Sequence, residues 1–334
     1  MPEGFTILLL VVLGLAVLFD YINGFHDTAN AIATSVSTRA LRPHIAILMS
    51  ATANFVGALT GTAVAKTIAA GIATTPDGQA GQVVISAALV GAIVWNLITW
   101  RLGIPSSSSH ALIGGLIGAA IAASGVDALN LEGISQKVLF PLVASPILGV
   151  VIGLSLMVVL LNVFRRAHPG RINERFRRLQ VLSAAYMAFS HGSNDAQKTM
   201  GIMTLALVSA GILAEPVVPL WVILAAATAI SLGTAAGGWR IIRTMGQKVV
   251  KLDPVHGFAA ETTAATIIVG ASHFGMPVST THVISSAIIG VGASDRLSAV
   301  RWGVAGNIVV AWILTIPASG AVAWLAWELL NRVL

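Results

Sequence analysis

The chain has 334 residues, of which 56% are apolar and only 10% charged, with a mean hydropathy of +0.87. Soluble domains carry about 25% charged residues, so this sequence cannot supply a water-facing shell and reads as a membrane protein. The net charge of +6 comes mainly from one arginine-rich segment, which speaks against nucleic-acid binding, and the absence of Cys excludes disulfides, thiol catalysis and Cys-based metal sites.

In chain order, the flank Met1-Pro2-Glu3-Gly4 has no positive charge and no small-residue cleavage site follows Leu18. The first apolar stretch (5–19) is therefore expected to be a span rather than a cleaved signal. It runs into a polar octet, Asn23-Gly24-Phe25-His26-Asp27-Thr28-Ala29-Asn30, where a helix break is expected. Apolar residues 44–65 follow, then a stretch of scattered polar residues (66–82). The segment 83–104 enters Pro-Ser-Ser-Ser-Ser-His at 105–110, and 109–125 leaves it. A further span, 141–164, leads to Arg165, Arg166, Arg171, Arg175, Arg177 and Arg178 against the single Glu174. The order then recurs. His191-Gly192-Ser193-Asn194-Asp195-Ala196-Gln197-Lys198 is followed by apolar 217–236, mixed 239–254, apolar 257–276, Pro-Val-Ser-Thr-Thr-His at 277–282, then 282–293 and 302–327.

The chain is thus an internal duplication. Asp27 pairs with Asp195 at an offset of 168 residues, and the hydroxyl motifs and Gly118/Gly290 pair at 172. The repeats are 1–164 and 179–334, joined by a basic loop at 165–178. Positive charge beside spans marks the cytoplasmic side, with Arg39/Arg42 and Arg240/Arg243 as weaker markers. The amino terminus, with only Glu3, is expected outside. Each half then crosses an odd number of times, and the second runs upside down relative to the first. Short, Gly- or Pro-interrupted segments at matching places point to re-entrant hairpins meeting near the midplane. The expected fold is an all-α, polytopic helical transporter with two inverted-topology repeats, broken helices and paired re-entrant helical hairpins. Trp95, Trp100, Trp302, Trp324 and Trp327 read as membrane-interface anchors.

The chemistry lies in the two duplicated motifs. Ser107, Ser108 and Ser109 correspond to Ser279, Thr280 and Thr281. Each cluster follows a proline that cannot continue a helix and stands at the start of the next one, where free N–H groups and the dipole favour an oxyanion. The bland reading is that these hydroxyls are caps and packing groups. Recurrence at matching positions favours the binding reading. Asp27, Asn30, Asn194 and Asp195 offer oxygens that suit a hard cation such as sodium. The alternative is a proton shared with the anion, which phosphate can supply and sulfate cannot. Gln197 and Asn194 are expected to help hold the anion, and Lys198 either does so or pairs with Asp195. Glu261 is expected to take a coupling role or an interfacial place at a helix start. His26, His110, His191 and His282 are candidates for orienting, coupling or gating, or for simply bonding a neighbouring carbonyl.

At these residues a family becomes visible. Gly24-Phe25-His26-Asp27-Thr28-Ala29-Asn30-Ala31-Ile32-Ala33-Thr34 resembles the first signature of the PiT family of inorganic phosphate transporters, and residues 191–201 resemble its second. The resemblance covers nearly the whole chain. It implies both ends outside, a transport core against a scaffold, symport of phosphate with sodium or protons, and a homodimer in the cell membrane. The expected partners are inorganic phosphate, sodium ions and membrane lipid, with no cofactor and no nucleic acid. A sulfate permease and an anion channel remain as alternatives within transport. An enzyme acting on phosphate esters is disfavoured because no nucleophile–base–orienter order is legible.

Overall fold

Prolines and glycines punctuate this chain where helices must start and turn. Pro43, Pro169 and Pro254 stand in the first turns of their helices, where a missing N–H leaves nothing unpaired. Gly103 and Gly275, which occupy the same place in the two repeats, turn the chain with φ of 68° and 66°, a region where a side chain would strain the backbone. The computed structural model describes residues 6–70 and 72–333; the flank with Glu3 lies outside the described residues. Its α-helices, in order, are α1 (Ile7–Ser37), α2 (Pro43–Ala58), α3 (Ala63–Ala70), α4 (Gly78–Leu102), α5 (Ser108–Ser124), α6 (Leu131–Ile134), α7 (Phe140–Val163), α8 (Pro169–Ser209), α9 (Leu220–Ala236), α10 (Trp239–Arg243), α11 (Pro254–His273), α12 (Thr280–Ala293) and α13 (Trp302–Val333).

The protein is an all-helical, multi-pass membrane protein. Helices α1, α4, α13 and the run 131–163 are long and apolar enough to cross a bilayer. The pairs α2/α3 and α9/α10 pass the same test only together, bent by 72° and 61° at short breaks. Ile147, Val151, Ile313 and Leu325 lie exposed on α7 and α13. In a chain this apolar they face lipid rather than water.

Two expectations need correction. The polar octets do not break their helices: α1 runs unbroken through Asp27, and α8 through Asp195. The breaks fall instead between α2 and α3 and between α9 and α10. At membrane depth an interrupted helix strands backbone groups without water, whereas these polar side chains find tertiary partners and leave the helix intact. The basic loop is also shorter than 165–178. His168 and Pro169 start α8, so Arg171, Arg175, Arg177 and Arg178 project from its first turns, with Arg178 3.2 Å from Glu174 one turn away.

The two halves pack across one another. Helix α1 lies on α9 as α8 lies on α2, and α5 lies on α13 as α12 lies on α7. Small residues permit this. A Cβ on Gly24 would meet the backbone of Ile230 and Thr234, and one on the equivalent Gly192 would meet that of Asn54.

Candidate functional site

The hydroxyl clusters stand where α4 turns into α5 and where α11 turns into α12, and each of the three ranks does something different. The first caps: Ser107 accepts from the His110 N–H and Ser279 from the His282 N–H, both at 3.2 Å. The second is split. Thr280 donates to Asp195 Oδ2 at 3.2 Å, while the buried Ser108 hydroxyl has no partner. The third is held from the opposite repeat: Ser109 accepts from Lys198 Nζ, and Thr281 accepts from Asn30 Nδ2 at 2.9 Å. Asn30 also donates to Thr280 at 3.2 Å. Asn30 and Lys198 are themselves equivalent at the 168 offset, so each repeat's long helix reaches the other repeat's tip.

Around these tips the octets converge. Asp27, His191 and Asp195 each place a ligand-type atom within 4.8 Å of the others, all buried. His26 Nδ1 lies 2.6 Å from Asp27 Oδ1, and its Nε2 lies 3.1 Å from Thr99 Oγ1. Asn194, the counterpart of His26, donates to Ser272 at 2.7 Å. Lys198 Nζ sits 2.5 Å from Asp195 Oδ1 and donates to the Val278 carbonyl at 2.9 Å. Of the two readings of Lys198, the pairing with Asp195 is the one seen, and the ammonium also touches a hydroxyl tip. The Oδ1 atoms of Asn30 and Asn194 are buried without partners. They are acceptors available to a cation. Gln197 is otherwise engaged, accepting from the Val64 N–H at 2.8 Å and donating to the Ser193 carbonyl at 2.5 Å. It ties the start of α3 to α8.

The charge balance bears on what the site can hold. Asp20, Asp27 and Asp195 are all buried, and Lys198 is the only buried Lys or Arg among the described residues. Buried charge without a partner is expensive. Such a centre accommodates an anion only together with a cation or protons.

The histidines at the tips do not bond neighbouring carbonyls. The His110 and His282 rings lie 4.7 Å apart, and His282 stacks on Trp312 at 4.0 Å. Both ring nitrogens of His282 and Nδ1 of His110 lack partners. His191 is oriented by Asn54, whose Oδ1 is 3.1 Å from His191 Nδ1 and whose amide donates to Thr234 at 2.8 Å. Its Nε2 then faces Asp195 Oδ2 at 3.3 Å.

Glu261 stands apart and is fully buried. It accepts from Thr34 at 2.5 Å, from Gln180 at 3.1 Å and from Ser183. At the base of the same helix, His256 bridges Asp253 (2.8 Å) and Asp295 (3.1 Å), joining the ends of α11 and α12. Burial opposes ionisation of Asp253. The His256 hydrogen bond and charge, with the N–H groups of His256 and Val255, outweigh it and hold the carboxyl below its ordinary 3.8.

Sequence reasoning missed Asp20, Asn54, Thr99, Ser183, Gln180, Ser272 and Trp312. For Asp20 and Trp312 a signal existed: a carboxylate and a large indole inside apolar runs, away from the expected membrane edges. Trp95 donates to Thr315 at 3.2 Å, and Trp100 packs edge-on to Phe25 at 5.3 Å.

Comparison with known proteins identifies the family. Residues 23–323 match the model of the phosphate transporter family. A protein of Bacillus subtilis (strain 168), described as "Probable low-affinity inorganic phosphate transporter", is 50% identical over 328 residues, covering 98% of both chains. A protein of Rhizobium meliloti (strain 1021) with the same description is 49% identical, covering 96% of both. A solved structure described as "The sodium-dependent phosphate transporter" superposes with a TM-score of 0.89 at 26% identity, over 98% of this chain and 100% of that one. The chain therefore belongs to the phosphate transporter family, a family of membrane transporters rather than enzymes.

Proposed function

We propose that the protein is a secondary transporter that imports inorganic phosphate by symport with sodium, by alternating access at a midplane site. The observation that carries the reading is the crossed grip on the two hydroxyl tips. Asn30 and Lys198 hold Thr281 and Ser109, and the Asp27–Asp195–His191 cluster lies beside them. Ser108, Ser109, Thr280, Thr281 and Lys198 supply donors for a tetrahedral oxyanion, and Ser107 and Ser279 shape the helix starts behind them. Asp27, Asp195 and the unpartnered Asn30 and Asn194 oxygens supply hard ligands for sodium. The names of the similar proteins support both the phosphate and the sodium.

The repeats are 1–164 and 179–334, inverted relative to each other, and α4/α5 and α11/α12 are the re-entrant hairpins. Crossed packing of the halves supports this arrangement. With the arginines of 165–178 on the cytoplasmic side of the cell membrane, both ends lie outside. A homodimer belongs to the same proposal through the family resemblance. Proton coupling is a second reading, favoured by Glu261, whose hydrogen-bonding partners are all neutral.

The test is radiolabelled phosphate uptake into proteoliposomes of the purified protein, under a sodium gradient or a pH gradient, with and without excess sulfate. Sodium-driven accumulation that sulfate leaves unchanged is expected. Uptake driven only by the pH gradient reassigns the aspartates to proton transfer. Competition by sulfate overturns the substrate, and gradient-independent flux means a channel.

A further inference from the structure

Where the first hydroxyl tip turns, the protein opens two adjoining cavities of opposite character. One, of about 590 Å³, is lined by Arg101, Arg240, Arg243, Lys248, Trp239 and Gln247 among others, with no acidic residue in its wall. The other, of about 450 Å³, runs up the lipid-exposed side of α4 and α13 between Ile98, Val304, Ile308, Val310 and Leu314. They share Leu102, Gly103, Thr244 and Lys248, so the cationic chamber opens directly into the apolar one. All four cations are exposed, and Arg240 among them is held in place. Arg240 donates to the Arg101 carbonyl at 2.5 Å and lies 5.3 Å over the Trp100 ring.

We propose that these joined cavities are a binding site for one anionic glycerophospholipid, its phosphate held by Arg240, Arg243 and Lys248 and an acyl chain in the groove of Ile98, Val310 and Leu314. Charge complementarity argues for the headgroup: four cations line one cavity with no counter-ion among the described residues, and arginine and lysine at a membrane edge recognise lipid phosphate. The groove argues for a lipid rather than a free ion, because inorganic phosphate gains nothing from an apolar arm. The other half of the protein provides the contrast. At the corresponding place there, α3 carries Lys66 alone, and the adjoining cavity mixes Lys66 and Lys137 with Glu132. The cation cluster is therefore no general consequence of a bent helix at the membrane edge. It also lies toward the same side as the arginine segment, since Asp253, five residues beyond Lys248, shares a cavity wall with Arg165. The site abuts the transport machinery. Thr244 donates to the Gly103 carbonyl at 2.9 Å, two residues before Pro105 and the serine tip, so a lipid seated there braces the root of that tip.

The test uses the purified full chain in detergent, with added phosphatidylglycerol, phosphatidylcholine or inorganic phosphate, read by native mass spectrometry and thermal unfolding. Phosphatidylglycerol is expected to remain bound and raise the unfolding temperature, while phosphatidylcholine does neither and inorganic phosphate, which binds at the transport site, leaves the lipid in place. The triple variant Arg240→Gln/Arg243→Gln/Lys248→Gln should weaken that binding by about fivefold per charge removed. A control with equal charge loss, Arg175→Gln/Arg177→Gln/Arg178→Gln, should not. Leu314→Trp, which fills the apolar arm and leaves every cation in place, should also expel the lipid, and it serves if the triple variant does not fold. Equal loss in the control, retention by Leu314→Trp, or displacement of the lipid by inorganic phosphate would each overturn the proposal; the last makes the pocket a free-anion site.

Discussion

The two hydroxyl tips are built from one duplicated plan but are held by different chemistry. Thr281 is gripped by the neutral amide of Asn30, whereas its counterpart Ser109 is gripped by the ammonium of Lys198, which also pairs with Asp195. A neutral hydrogen bond contributes about 0.5–1.5 kcal/mol, and one to a charged group about 1.5–3. The first tip is therefore expected to be the more tightly anchored, and the second the freer to part from its partner. Duplication supplies two donors at matching places, and the substitution of Lys for Asn makes the halves electrically unequal. An inequality of this kind suits a cycle in which one tip opens while the other stays shut.

Breaking the charged grip should do the most damage. Lys198→Ala leaves Asp195 buried without its cation and is expected to destabilise by about 3–5 kcal/mol, seen as a large fall in unfolding temperature and loss of phosphate uptake. Adding Asp195→Asn should restore much of the unfolding temperature but not the uptake. Normal uptake by the double variant would remove both residues from the site. Asn30→Ala should cost about 1–3 kcal/mol, clearly less than Lys198→Ala; equal losses would erase the contrast between the tips.

Asp27→Asn probes function more than folding. Among the described residues Asp27 pairs with His26 and with no lysine, so the neutral amide is expected to fold while sodium-driven uptake collapses. Unimpaired uptake would count against a cation role. The hydroxyl pair gives a smaller, graded result. Ser109→Ala should lower the unfolding temperature more than Thr281→Val, since only the former takes a partner from a charged group.

The smallest effect concerns the hairpin bases. His256 links the two ends of the second hairpin through Asp253 and Asp295, and Asp253 also caps α11. Asp253→Ala should cost about 1 kcal/mol through the cap. Because the folded carboxyl titrates below its ordinary 3.8, its contribution is present above that pH and fades as pH falls through the lowered value. The difference in unfolding temperature between wild type and Asp253→Ala should therefore shrink on acidification below about 3.8. A constant difference would mean that the charge of Asp253 contributes nothing.

Much of the site was legible because its signal is local and repeated. The paired hydroxyls after proline, the buried aspartates and the Gly103/Gly275 turns can be read from residue type and spacing. Other features were not legible, because their partners lie far off in the chain. Thr34 meets Glu261 across 227 residues and His191 meets Asn54 across 137. The unbroken α1 and α8 were misread for a related reason. Gly, Asn and Asp in a row suggest a helix break only as long as the tertiary partners that satisfy them are unknown.

What the sequence determined by itself was membrane residence and duplication, since both follow from summed hydropathy and self-similarity and need no contacts. It also placed the polar residues that had to be buried. Only the tertiary structure decided which of them meet. Asn30 and Lys198 cross to opposite tips, Gln197 braces α3, and Trp312 covers His282. The physical reason is that a buried polar group must find a partner, but many partners would do. The choice among them is made by how helices with small-residue faces pack across the two halves.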